Sequence, residues 1–230
     1  MSDGAGITEH EPVFDEFVAA AAQRPEAAEA IERHIAEHFG PVSSVLHEFV
    51  SHLVSLHVHV VGPTPGRPFQ TLITSGMSDL PMTVPDGLSP FAELMICLPP
   101  DWPLTDEAVR DPSTGWPIDT LKAVARLPPQ YGTWIGEWHS VPNGDPPVSF
   151  TWGTAFAGVV VTPMITVGEE ARVIRVADGT EINLLAVVPL HPEELAVKVQ
   201  HGTDALVEVL DRGGISEVLD PARQSYATFQ

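Results

Sequence analysis

The stretch FAELMICLPPDWPL, residues 91–104, constrains the fold more than any other part of the chain. From Phe91 to Leu98 it reads as a strand that is apolar on both faces except at Glu93. Such a strand belongs in the middle of a sheet that is covered on both sides. Pro99 and Pro100 must stop it, because neither has an N–H to give to a ladder. Just upstream, RPFQTLITSGMSDLPM (residues 67–82) reads as a strand from Phe69 to Thr74, with Gly76 marking a turn or bulge.

The periodicity on either side says what surrounds this centre. From Val13 to about Gly40 the spacing is helical, with a break near Pro25. Phe14, Phe17, Val18 and Ala21 share one face, then Ala27, Ile31, His34, Ile35 and His38 another, and Gly40-Pro41 ends the helix. The period then drops to 2. Val45, His47 and Phe49 alternate with Leu46, Glu48 and Val50, and Leu56, Val58 and Val60 alternate with His57, His59 and Val61. Residues 62–66 and 81–90 are rich in Gly and Pro and read as loops. A short helix is expected over Asp119 to Leu127, stopped by Pro128-Pro129. Residues 129–153 then read as a long ordered loop, a kind of segment that is often functional. A strand follows from Thr154 to Ile165, and Val173–Val176 pairs with Ile182–Val188 in a hairpin through Asp178-Gly179. Pro192 opens a helix that Gly202 ends, and a second runs from Thr203 to Leu210 before an irregular tail, Ile215 to Gln230. About seven strands with helices at both ends and no βαβ alternation predict an α+β fold. The expected sheet is mixed and mostly antiparallel, with N-terminal and C-terminal helices packed on it. Residues 1–12 are expected to form a disordered tail, and residues 13–230 a single domain.

Charge narrows the function. The chain has 31 acidic against 11 basic residues, a net charge of −20. That disfavours nucleic acid and anionic membrane and suits a basic partner. The lone Cys97 excludes an internal disulfide and a cysteine-based zinc site, and its apolar neighbours predict a buried core thiol. The acidic start MSDGAGITEHEP has no apolar core of a signal peptide, and the apolar run Ala155–Thr166 is too short to cross a bilayer. A soluble, cytoplasmic protein is the expectation.

The runs TSGMS-x-x-PM and LPPDW, with LHVHVVGPT and His47-Glu48 upstream and EELAVKVQHGTDALVEVL, Arg223 and Ser225 downstream, resemble the Suppressor of fused domain family. The resemblance covers roughly residues 28–226. It implies a mixed α/β domain that binds proteins and is not an enzyme. In animals, the similar domain is the N-terminal part of a Hedgehog-pathway inhibitor that holds a transcription factor inactive. In bacteria, members look like immunity proteins paired with toxins, and this chain resembles that type. The implied role is an immunity or antitoxin-type protein that neutralises a partner, possessing no cofactor and no catalytic residue.

Several constellations compete with that reading. His57 and His59 share one face of a strand, with His52 close by, so a metal-assisted hydrolase is one alternative. His34 and His38 lack the glutamate of the zinc-protease pattern. His47 and Glu48 are adjacent on a strand and point to opposite faces, which favours a structural role. No serine elbow, phosphate loop or dinucleotide fingerprint is present. A regulatory scaffold that binds a peptide is the other alternative. The aromatic residues after the LPPDW exit make the best binding candidate, since Trp anchors interfaces. The predicted partner-binding set is Asp101, Trp102, Trp116, Asp119, Tyr131, Trp134 and Trp138, with Asp101 and Trp102 aimed outward.

Overall fold

The computed structural model describes residues 11–13, 21–48 and 52–227. The predicted tail up to residue 10, the helical face Phe14, Phe17 and Val18, and the alternation at Phe49 and Val50 lie outside the described residues. The described elements are α1 (Pro25–His38), β1 (Val42–Leu46), β2 (His57–Val61), β3 (Gln70–Ser75), β4 (Ala92–Leu98), α2 (Asp106–Arg110) and α3 (Pro112–Tyr131). After these come β5 (Ser140–Pro142), β6 (Gly158–Thr162), β7 (Val173–Arg175), β8 (Glu181–Leu190) and α4 (Pro192–Gly213). The strands form one mixed sheet in the order β1-β2-β3-β4-β8-β6-β5, and β7 pairs with β8 off that path. All pairings are antiparallel except β4 with β8. The predicted α+β fold is therefore present.

Strand β4 is central, and all seven of its residues are buried. Leu94, Ile96 and Leu98 face α3, which lays Ile118, Leu121 and Ala125 against them. Met95 and Cys97 face the other way, into the cluster holding Ile31 and Ile35 of α1. Helix α4 covers the far end of that second face through Leu195, Leu206 and Leu210 against Val160 and Val188. Each such side chain contributes roughly 1.5–3 kcal/mol by leaving water. Cys97 is fully buried, and burial pushes its thiol up to about 12, so it is an inert core residue.

Glu93 is the polar exception in this strand, and it is wholly buried. Its carboxylate accepts from Thr74 Oγ1 at 2.6 Å, Gly76 N at 3.0 Å, Ser78 N at 2.9 Å and Ser78 Oγ at 2.7 Å. Burial pushes the carboxyl up, and these donors pull it only part of the way back, so it stays above the usual glutamate range. Burying a carboxylate costs several kcal/mol, and each bond to a charged acceptor returns about 1.5–3 kcal/mol, so a set of four is the right order to offset it. The TSGMS run is thus a cradle for one anion. Gly76 makes it possible: its φ is +112° and leads into a 3-10 turn, Met77–Asp79.

Two sequence expectations fail here. The helix expected over Asp119–Leu127 is α3, and it runs through Pro117, Pro128 and Pro129. Asp111 caps it through its bond from Ser113 N, Pro112 occupies the first turn, and Gly132 closes it in the left-handed conformation. Its buried face outweighs the backbone bonds that the interior prolines remove. The strand expected over Thr154–Ile165 is confined to β6, Gly158–Thr162. The predicted helix break at Gly202 is present as a kink, with φ +85°.

The C-terminal segment is tied into the sheet. Cys97 N donates to Glu217 O at 2.9 Å and Leu219 N to Cys97 O at 2.8 Å, which extends the ladder on β4 beyond the stretch that pairs with β8. Arg223 meets the buried Glu194 of α4 through two parallel bonds of 2.7 and 2.8 Å. Glu194 also accepts from His191 N, closing a capping box.

A Cβ at residue 76 would lie 2.0 Å from Ser55 O. Gly76→Ala combines that overlap with a strained φ, so it should destabilise the fold by about 2–5 kcal/mol. Denaturant unfolding checks this, and a loss under about 1 kcal/mol contradicts the cradle.

Candidate partner-binding site

A cleft of about 310 Å³ opens between α3 and the β5–β6 segment. Trp116, Asp119 and Thr120 line it from α3, and Val141, Asn143 and Phe150 from the opposite side. Trp116 and Asp119 are three residues apart on α3, so both reach the same wall. Trp116 stacks flat on Phe150, with ring centroids 5.3 Å apart and planes 9° apart. This pair joins the helix to the loop and gives the cleft a rigid aromatic floor. Asp119 is exposed at the wall; partial burial of its carboxyl pushes it up, and nearby Lys122 pulls it down. On the loop between β5 and β6, Val148 is 58% exposed and Trp152 is 97% exposed. Trp152 lies two residues along the same loop from Phe150, and its indole stands free in water.

The predicted set divides. Trp116 and Asp119 line the cleft, and the other five residues lie elsewhere. Asp101 is exposed as expected. Trp102 is turned inward: its Nε1 donates to Thr114 O at 3.0 Å and its ring packs on the core. Tyr131 is half-buried at the end of α3. Trp134 packs on the core and meets the ring of His139 at 4.3 Å. Trp138 has φ +66°, binds Val161 O through its backbone N, and packs beneath α4. The predicted set does not include Trp152, although its neighbours Thr151 and Gly153 signal an exposed turn.

The histidines lie on the opposite side of the sheet. His47, His57 and His59 line a second cavity of about 200 Å³, and the rings of His47 and His57 are 5.0 Å apart. His52 does not line it. His34 is buried and bonded to Ala171 O at 2.9 Å. Among the described residues, no three His, Cys, Asp or Glu side chains form a group that could hold a metal ion. Glu48 pairs with Arg126 and Lys122 of α3 while His47 faces the cavity, so the two do point to opposite faces.

The chain belongs to the Suppressor of fused protein (SUFU) family, whose model matches residues 52–224. Solved structures share its fold. A SUFU homologue from Neisseria gonorrhoeae FA 1090 is 17% identical with a TM-score of 0.60, over 90% of this chain and 97% of that one. The Sufu in a Sufu–Fu complex is 14% identical with a TM-score of 0.58, over 87% of this chain and 92% of that one. Drosophila Suppressor of Fused is 15% identical with a TM-score of 0.60, over 89% of this chain and 52% of its own. No curated protein matches the sequence. No helix among the described residues is long and apolar enough to cross a membrane.

Burial holds His59 down to about 4, with the nearby histidines adding to the effect. The unfolded chain then binds the proton more readily than the folded one. The contribution of neutral His59 is complete above pH ~6.5 and is lost as pH falls toward 4. By pH 5 the loss should be about 2 kcal/mol. An NMR titration should find the His59 ring neutral down to about pH 5, and a midpoint near the ordinary value of ~6.5 contradicts this.

Proposed function

We propose that this chain is a non-enzymatic protein-binding domain, and that its partner docks over the cleft between α3 and the β5–β6 loop. The partner is a basic protein, of the toxin type neutralised by immunity proteins. The observation that carries this reading is the exposed Trp152 on the loop whose Phe150 helps floor an aromatic cleft with Asp119 in its wall. A free indole has little structural reason to be there, and Trp is the commonest interface anchor. The charge of −20 supports a cationic partner by speeding encounter. A homologue of this fold has been solved in complex with the protein Fu, which agrees with a protein ligand.

The peptide-scaffold reading has one observation of its own. Strand β5 ends the sheet and borders the cleft, so an extended peptide has an edge to join. Its three residues include Pro142, which has no N–H to offer, so such a ladder would be short.

The test is binding to the protein encoded beside this chain. The association rate should fall at least roughly tenfold between low and high salt. Trp152→Ala should weaken Kd about 10- to 100-fold while stability stays within about 0.5 kcal/mol of the wild type. Neutralisation of that protein's activity would carry the immunity role. Binding with no effect of Trp152→Ala moves the interface elsewhere.

A further inference from the structure

We propose that α1 is a proton-sensitive cover: mild acid lifts it from the sheet about the joint at Gly40, while the sheet itself stays folded. The apolar face it hides belongs to Val61, Ile73 and Met95, on the side of the sheet away from α3.

Three histidines sit on the contacts of this one helix, which carries no strand ladder to hold it. Just before α1, Gln23 meets His57 Nε2 at 2.7 Å. In the middle, Ala28 and Ile31 close the cavity of about 200 Å³ that His57 and His59 line. Near the end, His34 is buried and its Nε2 donates to Ala171 O at 2.9 Å. Gly40, with φ +114°, is the joint between the helix and β1.

The closed geometry opposes a second proton on the strand histidines. His57 Nδ1 accepts from Glu48 N at 3.4 Å, and an N–H at that nitrogen would point at another N–H. His59 meets Ser75 Oγ through Nε2 at 2.9 Å, and no acceptor lies at its buried Nδ1. An imidazolium carries N–H on both nitrogens, so charging this ring leaves a buried donor unmet whichever tautomer it starts from. Burial holds all three rings below the ordinary histidine value, with His59 at about 4. Lifting α1 returns all three to water.

The surrounding charges do not cancel this. Glu32 of α1 and Asp79 of the 3-10 turn line the cavity and favour imidazolium, and Glu37 of α1 pulls His34 the same way. Glu48 also favours it at His57, but Arg126 and Lys122 engage that carboxylate. Against them stand Lys122 of α3 toward His57, Arg175 of β7 toward His34, and the rings of His47 and His38, whose centroids lie 5.0 Å from His57 and 4.3 Å from His34. Asp79 acts in the opposite sense, since burial raises its carboxyl and acid then favours the closed state, but it is one group against three. Arg24 is the other hold on the helix. Its N donates to Asp79 Oδ1 at 2.9 Å, while its guanidinium reaches Ser78 O, Asp178 and Thr180 only at 3.3–3.5 Å, which makes those contacts weak.

The sign follows from the depressed histidines. The lifted state binds more protons than the closed one, so its population grows as pH falls below about 6.5. Between about pH 7 and pH 5, His59 alone raises it about twentyfold, and His57 and His34 add to that. The closed state still dominates at about pH 5, so the lifting is read through rare openings.

The test is amide hydrogen exchange on the full chain at about pH 7 and pH 5, corrected for intrinsic rates. Protection of Ile31 and Ile35 in α1 should fall at least about tenfold, and both should exchange well before Leu94 and Ile96 of β4 at either pH. His59→Gln has no proton to gain in this range and should cut the acid-driven change in α1 about twentyfold. If that variant does not fold, the wild-type comparison decides. A fall under about tenfold, α1 exchanging at the rate of β4, or a pH response untouched by His59→Gln overturns the proposal.

Discussion

The fold depends on one buried carboxylate. Glu93 interrupts the most apolar strand of the chain, and it is tolerated only because residues 74–78 wrap donors around it. That wrapping does more than neutralise a cost. It sets the close of β3 against β4, requires the positive φ of Gly76, and starts the 3-10 turn that carries Asp79. An apolar residue at 93 would fit the strand, but it would leave Thr74, Gly76 and Ser78 with donors to satisfy in a dry interior. The anion and its cradle therefore specify each other.

Once β4 is fixed, its two faces serve different purposes. One carries α3, and α3 brings Trp116 and Asp119 to the mouth of the cleft. The other carries α1, and the same Gly76 turn that cradles Glu93 sends Ser75 and Asp79 toward the histidines. Two surfaces of unlike chemistry, one aromatic and one polar, are thus hung on one frame. The stretch with the most distinctive sequence is that frame, and the surfaces lie beside it.

The legible part of this architecture followed from periodicity. The alternation of Leu56, Val58 and Val60 with His57, His59 and Val61 marked a strand, and AELMICL marked a central one. Family resemblance and the helix break at Gly202 were also readable. Helix α3 was mostly hidden because Pro117, Pro128 and Pro129 are local stop signals, and only tertiary packing of Trp116, Leu121 and Val124 overrides them. The purpose of Glu93 was hidden because its donors come from another strand. Trp116 and Asp119 come together because α3 begins at Pro112, ahead of the start that the sequence suggests, and the exposure of Trp152 and the inward turn of Trp102 depend on contacts that no spacing encodes.

The pairing of β4 also bears on how the protein is made. Its parallel partner is β8, whose residues 183–186 lie against residues 92–95, and Cys97 waits for Glu217 and Leu219. Contacts so distant in the chain close slowly, because the loop entropy is spent before any of them forms. On the ribosome, β4 emerges early with both faces apolar and one edge open, long before its neighbour exists. The newly made chain thus carries an aggregation-prone segment with one edge unpaired from the completion of β4 until residues 183–186 are made, and its yield in the cell should track the supply of chaperones more closely than its final stability.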